Sequence, residues 1–256
     1  MEKRKVAVCI SGQIRTAIEA HSSFINFFKN EDIDVFIHTW YDPKIKDHSE
    51  IIEKIKTLYQ PKSFQIDHSP NYNRLDFAVM LKSFMLSNEL KKNYEIENDF
   101  RYDVVVKYRF DILFKHHIQF PTNSIQQRTL YYPFGNTGIL NSDYDNHGMT
   151  DVIFWGDSQT MDIATDVYRY YVYMLKPRVD IISYKNDFIS FDCSDAMMSP
   201  GQLIYQYAIK HNIFPTIQKT SDNNTIMHTL WRVEVSHLDP INDYDRINDF
   251  YVNQFR

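Results

Sequence analysis

Apolar residues along this chain follow two patterns. In one they form short unbroken runs rich in β-branched side chains; in the other they return every three or four residues. Lys5 to Ile10, Ile33 to Trp40 and Val104 to Val106 belong to the first kind and read as strands covered on both faces of a sheet. Each run turns polar at its C-terminal end: the first into Ser11-Gly12-Gln13-Ile14-Arg15-Thr16, the second into His38, Thr39, Trp40, Tyr41 and Asp42, the third into Lys107, Arg109 and Asp111. The second pattern lies between and after them. An amphipathic segment runs through Phe28, a short helix spans Glu50 to Leu58, and a long helix spans Leu75 to Asn93, where Phe77, Met80, Leu81, Phe84, Met85 and Leu90 recur at helical spacing.

The remaining elements are shorter. Lys62 to Ile66, Leu130 to Phe134 and Val152 to Trp155 read as strands. Gly135 to Gly148 is rich in turn formers, as a loop over a site would be. Asp157 or Ser158 suits the N-cap of a helix from Gln159 to Met174, and Ser199-Pro200-Gly201-Gln202 begins another that runs to His211. Final strands are expected between Phe214 and Val235, including Leu230 to Val235, before a polar and aromatic tail from Asp239 to Arg256. Strands alternating with helices predict an α/β fold with a mostly parallel sheet flanked by helices. The 256 residues suffice for one domain, 1–256, with a sizeable core.

Composition narrows the classes. Hydrophobic residues at 43% and charged residues at 24% describe a globular chain, and 15% aromatic residues point to a stacking-rich interior or groove. A net charge of -5 without a long basic block argues against salt-driven nucleic-acid binding. No stretch approaches the roughly 20 apolar residues of a membrane span, and the charged start is not a signal-peptide core, so a cytoplasmic protein is expected. Cys9 and Cys193 support neither a disulfide framework nor a zinc site; Cys9 reads as a small buried hydrophobe.

The chemistry gathers where strands end, because open parallel sheets bind ligands outside the carboxyl ends of their strands. With a side-chain period of two, Lys107, Arg109 and Asp111 project from one face, and Asp111 is the first candidate for a metal ligand. The alternative is an Arg109–Asp111 surface ion pair. A Ser11-Gly12 turn lets a ligand approach the backbone, with Gln13 and Arg15 as donors to a base, ribose or phosphate; the alternative is a tight βα connection. Neither a GxGxxG nor a GxxxxGK[ST] pattern is present there. Trp40 or Tyr41 can stack on a base or cover the core, and Lys82 and Ser83 can face phosphate or sugar from the long helix, although a solvated lysine is commoner. His228 or His237 is a late candidate metal ligand, or an ordinary core or surface histidine. Asp157 has a capping role to account for it; Asp151 does not.

Taken together, KVAVCISGQIRT, IDVFIHTW, the helix from Leu75 to Asn93, YDVVVKYRFD and TDVIFWGDSQTM resemble, in order and spacing, a group of bacterial and viral glycosyltransferases of the GT-A fold. The resemblance covers most of Lys5 to Ile213. It implies a single Rossmann-like domain that binds a nucleotide sugar, usually a UDP-sugar, with Mn²⁺ or Mg²⁺ bridging the diphosphate, and that moves a hexose to a glycan or other hydroxyl acceptor. It further implies that Ser11, Gly12, Gln13 and Arg15 hold the nucleoside, with the end of the second strand, His38 to Asp42, close by. The family's Asp-X-Asp metal motif is filled here by Arg109-Phe110-Asp111, which departs from it at the first acid, so the metal is expected to rely on Asp111, diphosphate oxygens, water and a late histidine such as His228, or to bind weakly. Arg109 is then expected to assist electrostatically as the sugar–phosphate bond breaks, and Asp151 to bind the donor sugar or act on the acceptor hydroxyl. A sugar nucleotidyltransferase, or a non-catalytic nucleotide-sugar or glycan-binding module, is the competing expectation.

Overall fold

The computed structural model describes residues 4–14, 16–41, 48–68, 76–114, 120, 125–133, 151–175, 200–218 and 227–229. In chain order the elements are β1 (Val6–Gly12), α1 (His21–Phe27), β2 (Ile33–Tyr41), α2 (His48–Tyr59), β3 (Ser63–His68), α3 (Asp76–Glu97), β4 (Val104–Arg109), β5 (Ile112–Phe114), β6 (Thr129–Pro133), β7 (Phe154–Gly156), α4 (Ser158–Thr165), α5 (Val167–Leu175), α6 (Pro200–Lys210), β8 (Phe214–Gln218) and β9 (Met227–Thr229). Seven strands form one mixed sheet in the order β3-β2-β1-β4-β7-β6-β8, and β5 pairs with β9 in a second, two-stranded sheet.

The fold is α/β and Rossmann-like, with a mostly parallel sheet flanked by helices. β1 pairs in parallel with β2 and β4, and β2 with β3. β7 is reversed: it is antiparallel to both β4 and β6, while β6 and β8 run parallel. Alternation along the central strands divides the core. Val6, Val8, Ile10, Val35, Ile37, Val104 and Val106 face α1 and α2, packing on Phe24, Phe27, Ile52 and Ile55. Ala7, Cys9, Phe36 and Val105 face the other way, against Leu81 and Phe84 of α3 and Met161 and Ala164 of α4. The β-branched runs form strands because a two-sided sheet gives every residue an apolar partner.

Where the elements differ from the sequence reading, local chemistry explains it. The expected helix from Gln159 to Met174 is two helices, broken at Asp166. Thr165 Oγ1 donates back to Asp162 O at 3.1 Å, a side-chain bond that competes with the helical ladder, and Asp166 is a poor helix former beside two β-branched residues. The expected cap is present: Asp157 accepts from the Thr160 N–H at 3.0 Å. On the polar side of α3, Lys91 and Glu95 are buried by α4. Lys91 Nζ reaches Glu95 at 3.1 Å and Asp162 at 2.8 Å, and the Ser158 hydroxyl donates to Glu95 at 2.7 Å, so the two helices share a charge cluster that Arg101 joins from the solvent side.

Leu230 to Val235, the tail from Asp239, His237 and the loop Gly135 to Gly148 lie outside the described residues.

Candidate functional site

The chain passes from β1 outward to β2 and β3, then crosses back to place β4 on the other side of β1. Strand order therefore reverses between β1 and β4, and such a reversal opens a crevice at the carboxyl ends of the strands. Three of the residues singled out in sequence share one row there, since Ser11 is the register partner of both His38 and Arg109. All three alternate onto the α3 side of the sheet, with Cys9, Phe36 and Val105.

On the β1–β2 side the row is tied to α3 by one hydroxyl. Ser83 Oγ accepts the Gly12 N–H at 2.9 Å, lies 2.8 Å from His38 Nδ1 and stands 3.2 Å from the His38 carbonyl. His38 Nε2 faces the Asp67 carboxylate at 3.5 Å. Burial drives the His38 pKa down to about 4 against the opposing pull of Asp67, so the ring is neutral at neutral pH. Gly12 itself has φ +114°, and a Cβ there would meet nothing within 4 Å among the described residues. The turn thus presents bare backbone to open space in a conformation that favours glycine.

Several expected ligand contacts are walls of the site. Ser11, His38, Trp40 and Ser83 are all buried. The Trp40 ring is closed in by His38, edge-on at 4.7 Å, and its face lies 5.7 Å from Lys82 Nζ. Burial leaves that ring no free face for a base. Gly12 and Lys82 are half-buried and Gln13 is exposed, while Arg15 and Asp42 lie outside the described residues.

On the β4 side the cluster is charged. Arg109 holds Asp111 bidentately, Nε to Oδ1 at 2.9 Å and Nη2 to Oδ2 at 2.7 Å, and its Nη1 stands 3.5 Å from the Asp151 carboxylate. Asp111 does not lie on the strand, as alternation predicts, but in the turn between β4 and β5. It is brought back by the arginine fork, at 5% side-chain exposure against 15% for Arg109. Burial works against the guanidinium charge, but Asp111 outweighs it and holds the Arg109 pKa above its ordinary value.

Lys107 is fully buried beneath this pair. Its Nζ donates to the Asp151 and Val152 carbonyls and lies over the Phe84 ring at 5.8 Å. Burial lowers its pKa to about 7, opposed by Asp151 and reinforced by Arg109. Lys107 thereby pins the backbone that carries Asp151, and Arg109 meets the side chain. Sequence alternation placed Lys107 on the right face but gave no sign of this anchoring role; Asp67 was missed altogether, although SFQIDH alternates it onto the same face as His38.

The residues fit a resident divalent cation poorly. Both Asp111 oxygens are taken by Arg109, and among the described residues no group of three or more His, Cys, Asp or Glu side chains is placed to hold a metal. Main-chain pairing sets His228 opposite Leu113, beside the Asp111 turn; its side chain lies outside the described residues.

No protein-family model matches the chain, and no curated protein matches it. One solved structure, the nucleoside-diphosphate-sugar pyrophosphorylase from Vibrio cholerae RC9, is similar over 96% of this chain and 98% of that chain, at 10% sequence identity and a TM-score of 0.46. That likeness carries no argument about chemistry. No helix among the described residues is long and apolar enough to cross a membrane.

Proposed function

We propose that this chain is a nucleotide-sugar-dependent transferase that moves a hexose from a UDP-type donor to a glycan or other hydroxyl acceptor. The observation that carries the reading is the meeting of an open positive-φ glycine and a carboxylate-paired arginine in adjacent parallel strands at the reversal of strand order. Gly12 lets the donor approach the β1 backbone, and Arg109 supplies positive charge one strand away. Lys82 supplies a further cation on the β2 side.

In the transfer, the bond from the anomeric carbon to the β-phosphate oxygen breaks and its electron pair leaves on that oxygen. The acceptor oxygen forms the new bond to the anomeric carbon. Its proton passes to Asp151, which Lys107 holds by the backbone beside Arg109. Expected Mn²⁺ or Mg²⁺ finds its candidate ligand Asp111 engaged by Arg109, so no step here is routed through a metal.

Sugar nucleotidyl transfer is the second reading, since the Arg109 guanidinium suits any phosphoanhydride at the carboxyl ends of β1 and β4. It is also the activity named for the Vibrio cholerae RC9 protein. The deciding experiment offers the protein UDP-hexoses with hydroxyl acceptors in one vessel, and UTP with hexose 1-phosphates in another, and separates products by anion exchange. Acceptor-stimulated release of UDP supports glycosyl transfer. Pyrophosphate and a new UDP-hexose instead support nucleotidyl transfer, and binding without turnover in either supports a binding module.

A further inference from the structure

We propose that Arg109 itself takes the place of a divalent cation: the donor's diphosphate binds to its guanidinium, which leaves Asp151 to do so, and nucleoside-diphosphate binding requires no metal. This inference rests on the nucleotide-sugar reading above.

The geometry points to it from three sides. Arg109 is the last residue of β4 and the register partner of Ser11, so it stands at the reversal of strand order where a diphosphate would lie. Its contacts with Asp111 and Asp151 are unequal. The Asp111 fork is bidentate at 2.7–2.9 Å, whereas the Asp151 contact is single, at 3.5 Å. A phosphate oxygen displaces the weaker partner and leaves the fork intact. A dication at Asp111 would also strip a mostly buried guanidinium of its bidentate carboxylate.

The exchange also has a consequence for Asp151. Its carboxylate is released from Arg109 as the donor arrives, while Lys107 keeps its backbone in place, and it becomes the acceptor-side base only once a donor is bound. When the anomeric carbon–oxygen bond breaks, the electron pair on the departing β-phosphate oxygen is met by the guanidinium, and the acceptor's proton goes to Asp151.

The test is calorimetric titration of the full chain with UDP, GDP and dTDP, in EDTA and in Mn²⁺. One nucleoside diphosphate is expected to bind with the same Kd, within about twofold, in both buffers, and Arg109→Gln to weaken it about ten- to hundredfold in both, as loss of a charge-assisted hydrogen bond to phosphate does. Asp111→Asn, nearly isosteric, guards against a misfolded Arg109 variant. It is expected to hold or tighten binding in EDTA, since it loosens the fork on Arg109. Binding that needs Mn²⁺ and is lost in Asp111→Asn overturns this inference and leaves the nucleotide-sugar reading standing; no binding of any of the three by the folded wild type overturns both.

Discussion

Replacing Lys107 with methionine keeps the length of a buried side chain and removes its charge. In the wild type that ammonium is held under the sheet edge, with Asp151, Arg109 and Asp111 as its charged neighbours, and burial lowers its pKa from 10.5 to about 7. The unfolded chain binds this proton up to the ordinary value and the folded chain gives it up earlier, so stability rises with pH across that interval. At 1.36 kcal/mol per unit, the full interval amounts to roughly 5 kcal/mol. Between about pH 7 and about pH 9 the share is about 2 kcal/mol. The window stops there because burial raises the Cys9 thiol to about 12, which offsets the Lys107 slope in the wild-type curve above the thiol's ordinary value. Lys107→Met also strips a donor from the Asp151 and Val152 carbonyls, an offset independent of pH. The assay is urea unfolding of both proteins across that window. The difference in unfolding free energy, wild type minus variant, is expected to grow by about 2 kcal/mol from the lower pH to the higher. A difference that stays flat refutes a buried, proton-releasing Lys107.

Four further outcomes follow from single contacts. Ser83→Ala orphans the Gly12 N–H and His38 Nδ1 together and should cost about 2–4 kcal/mol in denaturant unfolding. Gly156→Ala drives a Cβ to 2.9 Å from the Thr129 carbonyl, and should lower stability by about 1–3 kcal/mol because backbone cannot yield as a side chain does. Lys91→Met removes the ammonium between Glu95 and Asp162 and leaves them the partly exposed Arg101, and should cost up to about 3 kcal/mol, read by chemical unfolding at neutral pH. Asp151→Asn should lower turnover at least about hundredfold while nucleoside-diphosphate affinity stays within about threefold, a split between chemistry and binding that calorimetry and product release measure separately.

Much of the fold can be read from residues because β1, β2 and β4 are apolar enough to declare themselves. Val104, Val105 and Val106, and the alternation of Val6, Val8 and Ile10, need two covered faces, and a sheet between helix layers provides them. The gathering of polar residues at the same ends of these strands was equally legible, and it located the row of His38, Ser11 and Arg109. What sequence periodicity does not carry is depth. His38, Trp40 and Ser83 look available at the end of a strand or on a helix, yet α3 closes over them, and they support Gly12 rather than face solvent. Lys91 and Glu95 have the spacing of a solvated helix face, but α4 covers them and turns the pair into a core cluster. Alternation also fails where a strand stops: Asp111 falls in a turn, and only the reach of Arg109 restores it to the group. The reversal of β7 leaves no mark in a short apolar run, because an antiparallel strand buried on both faces has the same pattern as a parallel one.

The most direct test of the account is equilibrium titration of the folded chain with a panel of UDP-, GDP-, CMP- and dTDP-sugars, wild type beside Arg109→Gln. One nucleotide class, expected to be the UDP-sugars, should bind the wild type and lose at least about tenfold in affinity when the guanidinium is gone. Failure of the folded wild type to bind any of them, or binding that Arg109→Gln leaves untouched, would contradict a nucleotide-sugar site at the carboxyl ends of β1 and β4.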